Sequence, residues 1–385
     1  MVITGGRVVI RPGQEIENGF VLIKDGVIAQ TGEMPRLPDV TGLTQIDAGG
    51  CLVLPGFVDA HCHIGMWEDG LGFEGDDGNE DTDPCTPHLR AIDAINPLDR
   101  AFREAVEAGV TTVVTGPGST NPIGGQLCAL KTHGRRVDDM LISPCVGIKF
   151  ALGENPKTSF HAKSQTPTTR MAVAALIREQ LQKAKRYMED CAAAQEDDEL
   201  EPPELDAKCE ALMPLLSGQI KAHFHAHRAD DIFTALRLSQ EFGLDAVLIH
   251  CTEGHLVADL LAEQGCKAVF GPLLSSRTKP ELANYTPTAP GLAHRAGVRV
   301  AIATDHPEVP VHYLALSAAI AAAEGMDKTA ALAAITTEAA EICGISHRVG
   351  SLEQGRDADV LIFDRDPFAL AAKPRTVILG GRVVK

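Results

Sequence analysis

Two histidines one residue apart, His61 and His63, follow the apolar run 54–58 and Asp59. Side chains two apart on a strand point the same way, so both imidazoles can address one ion. Such a pair alone is weak, because histidines satisfied by ordinary hydrogen bonds are common. Three further residues sharpen the reading. His225 closes the run 220–224, His250 closes 246–249, and Asp305 closes 300–304. Each is a metal-capable group at the end of an apolar segment. For Asp305 the alternative is a helix cap ahead of Pro307. A lysine, Lys149, lies inside the apolar stretch 146–152. Burial there would favour its neutral amine over the ammonium.

These residues need elements that bring them to one place. Short apolar strands are predicted at 51–58, 111–115, 142–150, 220–225, 246–250, 268–270 and 298–303. Helices are predicted between several of them, at 98–108, 168–189, 230–242, 255–264 and 314–323. Strands alternating with helices over some 300 residues predict an α/β fold, a (β/α)8 TIM barrel, which builds its active site at the carboxyl ends of its strands. A doubly wound sheet would instead show a Gly-rich phosphate turn after its first strand. The two chain ends differ in texture, with short strands separated by turns such as Lys24-Asp25-Gly26. Gly-Gly-Arg-Val-Val occurs at both 5–9 and 380–384. We expect residues 1–55 plus 350–385 to form a small β-sandwich domain and residues 56–349 the barrel.

The stretch Pro55-Gly56-Phe57-Val58-Asp59-Ala60-His61-Cys62-His63 resembles the opening signature of the amidohydrolase superfamily. The stretch from Gly350-Ser-Leu-Glu to Asp359-Val-Leu-Ile362 resembles that superfamily's return into its small β-domain. The resemblance covers nearly the whole chain and is greatest to the imidazolonepropionase- and prolidase-like branch. It implies a metal-dependent hydrolase whose ligands follow strands one, five, six and eight: His61, His63, His225, His250 and Asp305. Binuclear members bridge their ions with a carbamylated lysine on strand four, which implies that role for Lys149. Glu154, in the following Gly-Glu-Asn-Pro loop, is the alternative carboxylate bridge, and a mononuclear site the third possibility. Deaminases of the superfamily carry a glutamate three residues after the strand-five histidine. Arg228 stands there, which favours amide hydrolysis and offers a partner for a substrate carboxylate; a solvent-facing arginine is the plain alternative. His223 and His227 flank His225, one deeper in the barrel and one beyond the strand end, as residues behind the ligands or on the loop.

The chemistry implied is that of one or two divalent ions per chain, which lower the pKa of a bound water and polarise a scissile carbonyl. Asp305 would act as general base and then acid. Zinc suits such donors best, though iron, manganese and nickel also bind them. The expected substrates are small molecules with a C–N amide bond: an N-acyl amino acid, a dipeptide or a cyclic amide. A metal-dependent deaminase or cyclic-amidine hydrolase is the alternative, and a non-catalytic barrel scaffold a weaker one.

The composition narrows the partners. With 35 basic and 52 acidic residues the net charge is −17, which argues against nucleic-acid or anionic-membrane binding. A homo-oligomer remains open. The N-terminal residues show no basic segment followed by an apolar core, and the ten cysteines show no framework spacing, so a cytoplasmic protein with reduced thiols is expected. The segment 70–87 carries six carboxylates and no base. Following the first barrel strand it is expected on the catalytic face, either as a plain solvated loop or as a flap that favours cationic substrates.

Overall fold

Both chain ends contribute to one sheet in the computed structural model, which describes residues 1–68 and 72–385. The first part of this sheet comprises β1 (Val2–Arg11), β2 (Gln14–Lys24), β3 (Val27–Glu33), β4 (Gln45–Asp47) and β5 (Leu52–Pro55). The barrel strands follow: β6 (Phe57–Cys62), β7 (Val110–Thr115), β8 (Ile123–Lys131), β9 (Leu141–Ala151), β10 (Lys221–Ala226), β11 (Ala246–His250), β12 (Lys267–Phe270) and β13 (Arg299–Ile302). The chain then returns to the end sheet through β14 (Val360–Phe363), β15 (Thr376–Leu379) and β16 (Arg382–Val383).

The end sheet runs β16-β15-β14-β5-β1-β2-β3, with β4 paired to β1. Alternating apolar residues build its core, among them Ile3, Val8, Val21, Ile28, Val53, Val360, Ile362 and Ile378. The Asp25-Gly26 turn joins β2 to β3 with φ of 52° and 80°. Positive φ at both central residues is the conformation whose twist matches a hairpin. The two Gly-Gly-Arg-Val-Val copies are not equivalent. The first lies within β1, whereas Gly380 and Gly381 form the turn into the short strand β16. A buried ion pair ties this sheet to the barrel: the Lys131 ammonium lies 2.8 Å from Asp357 and also contacts Asp359.

The barrel sheet runs β13-β12-β11-β10-β9-β8-β7-β6 and is nearly closed. Closure is completed by backbone bonds beyond β13, where Asp305 donates to His61 O at 3.1 Å and His63 donates to His306 O at 2.8 Å. One strand departs from the expected all-parallel order: β8 is antiparallel to both β7 and β9. Its Gly124-Gly125 pair lies inside the strand. In the structure it permits close approach, since a Cβ on Gly125 would lie 2.8 Å from Leu89 O. Between β9 and β10 run two longer helices, Arg170–Glu196 and Ala207–Leu216, the second capped by Asp206. No helix among the described residues is long and apolar enough to cross a membrane.

Candidate active site

The strand ends of the barrel open into a cavity of about 680 Å³. Two groups of side chains with metal-ligand chemistry lie at its floor. One is His61, His63 and Asp305; the other is His225, His227 and His250. Within each group the ligand atoms all lie within 4.8 Å of one another. Asp305 links the two, with Oδ1 3.6 Å from His61 Nε2 and 3.3 Å from His63 Nε2, and Oδ2 4.0 Å from His250 Nδ1. His250 and Asp305 take φ of 71° and 55° where their strands end. Non-glycine residues in this left-handed region are strained by roughly 1–3 kcal/mol and cluster at functional sites.

Each ring is oriented from behind. His63 Nδ1 lies 2.6 Å from Gly116 O, and His250 Nδ1 lies 2.7 Å from Gly271 O. Gly271 can present that carbonyl because it lacks a Cβ, which would meet Ala303 O at 2.1 Å. Lys149 Nζ lies 2.9 Å from His61 Nε2 at the bottom of the group.

Electrostatics set the protonation states. Burial, and next the Lys149 ammonium, hold His61 well below the ordinary histidine value. Burial and then the neighbouring His250 do the same at His225 and His227. Burial lowers His250 to about 4, although Asp305 opposes it. Burial pushes the Asp305 carboxyl up, but His250 and His63 outweigh it, so the group lies below its usual value and is anionic. Burial brings Lys149 down to about 8, against the pull of Asp305. The neutral imidazoles of His61, His225, His227 and His250 beside the anionic Asp305 suit a divalent cation. The fit extends to individual atoms: both ring nitrogens of His225 and Nδ1 of His61 are buried without a hydrogen-bond partner. Orphaned buried polar atoms are costly unless something binds them.

Among the other residues expected from the sequence, His227 and Glu154 line the cavity. Glu154 opens the helix Glu154–His161, and its carboxylate belongs to neither ligand group. Arg228 is not brought to the cavity. It precedes the helix Ala229–Phe242 as an exposed residue and forms a two-pronged pair with Asp230, each contact 3.0 Å. His223 is fully buried deeper in the barrel and lowered to about 3 by burial. Gly147 leaves room for it, since a Cβ there would lie 2.8 Å from His223 Cδ2.

The carboxylates of the acidic segment do not line the cavity. Gly70 and Leu71 lie outside the described residues; of residues 72–87, Asn79 lines the cavity and none of the six carboxylates does. Asp81 pairs with Lys163, and Asp83 lies 2.5 Å from Lys208. Asn121 clamps the segment further by donating to Glu80 O and Asp83 O at 2.5 and 2.7 Å. Two of its six negative charges, Asp81 and Asp83, are thus paired with lysines that do not line the cavity.

Residues that the sequence reading did not single out complete the cavity. Trp67 packs edge-on against His63 with ring centroids 4.7 Å apart. Glu281, 1% exposed, places Oε1 3.6 Å from His227 Nε2 and 3.9 Å from His225 Nε2, while Oε2 accepts the Glu154 N–H at 3.0 Å. Lys279 Nζ contacts Glu281 Oε1 at 2.7 Å and Asn155 Oδ1 at 2.9 Å. Both stand on the loop after β12, where no periodicity marks them.

A model of the amidohydrolase family matches residues 52–384, spanning barrel and return. The chain belongs to this family. As an amidohydrolase it is a hydrolase acting on carbon–nitrogen bonds, of a family that typically binds divalent metal, and its two clusters of side chains have donors that could hold such an ion. It is 30% identical to amidohydrolase tasK of Hapsidospora irregularis over 94% of this chain, which spans only 39% of that relative's length. It is 26% identical to a 5-methylthioadenosine/S-adenosylhomocysteine deaminase of Symbiobacterium thermophilum, covering 100% of this chain and 93% of the relative. The crystal structure of an amidohydrolase from Thermotoga maritima superposes with a TM-score of 0.95 at 38% identity, over 100% of this chain and 99% of that one.

Proposed function

We propose that this amidohydrolase hydrolyses the amide bond of a small carboxylate-bearing molecule, such as an N-acyl amino acid or dipeptide, with zinc held by His61, His63, His225, His250 and Asp305. One observation carries the reading: neutral imidazoles and one anionic carboxylate converge at the barrel's strand ends beneath a single cavity. When bound, the ion supplies Lewis acidity toward the scissile carbonyl and lowers the pKa of a water. Asp305 takes the proton from the attacking water and returns it to the leaving nitrogen, so water is consumed and acid and amine are released. The imidazoles stay neutral and hold position. Lys149, with roughly a tenth of its amine neutral at pH 7 if its pKa is about 8, takes up carbon dioxide as the bridging carbamate.

Lys279 supports the substrate class. It is the one lysine or arginine among the described residues that line the cavity. Two of its three N–H donors meet Glu281 and Asn155, leaving one for a substrate carboxylate. The domain division we infer is 1–55 with 350–385 as a small β-domain and 56–349 as the catalytic barrel, supported by the sheet shared between the chain ends.

Deamination is the second reading, favoured by the likeness to a deaminase and by Glu281, a carboxylate beside His225 where a proton shuttle could act. Zinc-loaded enzyme assayed against N-acyl amino acids, dipeptides and aminopurines separates the two. Release of carboxylate and amine from the amides supports hydrolysis. Turnover of aminopurines alone, with ammonia as product, rejects it.

A further inference from the structure

The carboxylates of the acidic segment turn away from the cavity, yet its backbone builds part of the wall by seating Trp67. This residue, the single tryptophan of the chain, is half-buried and lines the cavity. The Asp77 N–H donates to Met66 O at 2.9 Å, and the Glu68 N–H donates to Gly75 O at 2.8 Å. Gly78 and Gly118, joined by the Gly118 N–H to Gly78 O at 2.8 Å, back the indole. A Cβ on Gly78 would lie 2.1 Å from Trp67 Cζ2, and one on Gly118 2.6 Å from Cη2. Neither glycine has a positive φ, so what these positions require is room for the ring. The indole is not what orients His63, whose Nδ1 is held by Gly116 O at 2.6 Å. Its open surface is an apolar wall beside a polar floor, the pattern of a pocket that takes an apolar group in a fixed orientation.

The cavity has two sides that Asp305 links. Lys279 stands on one, 2.7 Å from Glu281 Oε1, which faces His225 and His227. Trp67 stands on the other, against His63. Asp305 reaches His63 Nε2 at 3.3 Å and His250 Nδ1 at 4.0 Å. A molecule with its carboxylate on Lys279 and its amide at Asp305 therefore extends its acyl group toward Trp67. We propose that Trp67 selects the acyl group of the substrate: a flat apolar group packs on the indole, so the class is N-aroyl amino acids rather than N-acetyl ones. Two aromatic rings gain more than their buried area alone, whereas an acetyl methyl covers little of the ring. The inference rests on the amide-hydrolase reading above, with Lys279 at the carboxylate, and deepens it by naming the other end of the molecule.

Calorimetric titration of the zinc-loaded full-length protein with 3-benzoylpropionate and with levulinate tests it. In both compounds a CH2 stands where an N-acylglycine has its amide N–H, so neither can be cleaved. Wild type is expected to bind the benzoyl compound about 10-fold more tightly, with a saturable change in Trp67 emission. Trp67→Ala should lose that preference and Trp67→Phe keep most of it. Gly78→Ala, whose added methyl displaces the ring, should reduce it. The ratio of kcat/KM for N-benzoylglycine to that for N-acetylglycine should follow the same order. Zinc content and circular dichroism are measured for each variant. Equal binding of the two compounds by wild type, or a wild-type preference kept by folded Trp67→Ala, overturns the inference. Loss of zinc from Trp67→Ala overturns it too, since the indole would then serve His63 and not the substrate. In each of these cases, hydrolysis of the N-acylglycines by wild type leaves the amide-hydrolase reading standing. Hydrolysis of neither N-acylglycine overturns both.

Discussion

The Asp59 carboxylate accepts the Thr304 hydroxyl at 2.5 Å and the Thr304 N–H at 3.2 Å. It thereby stitches the first barrel strand to the end of the last, two residues before His61 and one before Asp305. The residue is fully buried, and burial raises its pKa to about 7 in spite of these bonds. Asp59→Ala removes the acceptor for both donors of Thr304. A loss of about 2–3 kcal/mol in urea unfolding is expected, with kcat/KM lowered about 10-fold or more because Asp305 loses its register. Unchanged kcat/KM in the folded variant would show that the link does not position the site.

Lys149 should be essential to turnover. Lys149→Ala is expected to lower kcat/KM about 100-fold, and short carboxylic acids should restore part of it by standing in for the carbamate. A variant as active as wild type, or one with no response to added carboxylates, counts against the bridging role.

Lys279 should govern substrate charge. Lys279→Met is expected to raise KM for carboxylate-bearing amides about 10-fold, in line with about 1.5 kcal/mol for a charged hydrogen bond, and to leave neutral amides nearly unaffected. An equal change for both classes would point to a general packing effect through Glu281.

The clustered histidines and Asp305, and the barrel that gathers them, were legible because both obey rules of spacing. Apolar runs of strand length end in His63, His225, His250 and Asp305, and period-two alternation sends His61 and His63 inward. The remainder depends on contacts between residues far apart in sequence. Lys279 and Glu281 sit on an aperiodic loop and matter only because that loop folds back over β10. The acidic segment reads as a field over the site until Lys163 and Lys208, 82 and 125 residues away along the chain, neutralise Asp81 and Asp83. Arg228 reads as a mouth residue until Asp230, two positions on, captures it. β8 was hidden by its glycines, of which Gly125 lets the segment at Leu89 come close.

The ion pair between the end sheet and the barrel gives a stability prediction. Lys131→Met leaves Asp357 and Asp359 buried without their ammonium, although Arg348 still pairs with Asp357 at 2.8 Å. A loss of about 3 kcal/mol is expected from denaturant unfolding. Removal of residues 356–385 strips β14 to β16 and should abolish soluble folding. A monodisperse, active truncation would refute the shared domain.

The most direct measurement is the metal content and amide-hydrolysing activity of His61→Ala/His63→Ala beside wild type, with folding checked by circular dichroism. Two ligands of one group are removed while Asp305 and the second group remain. The account predicts a folded protein that has lost zinc from the first group and, with it, all measurable hydrolysis. Wild-type zinc content and turnover in that variant would contradict it.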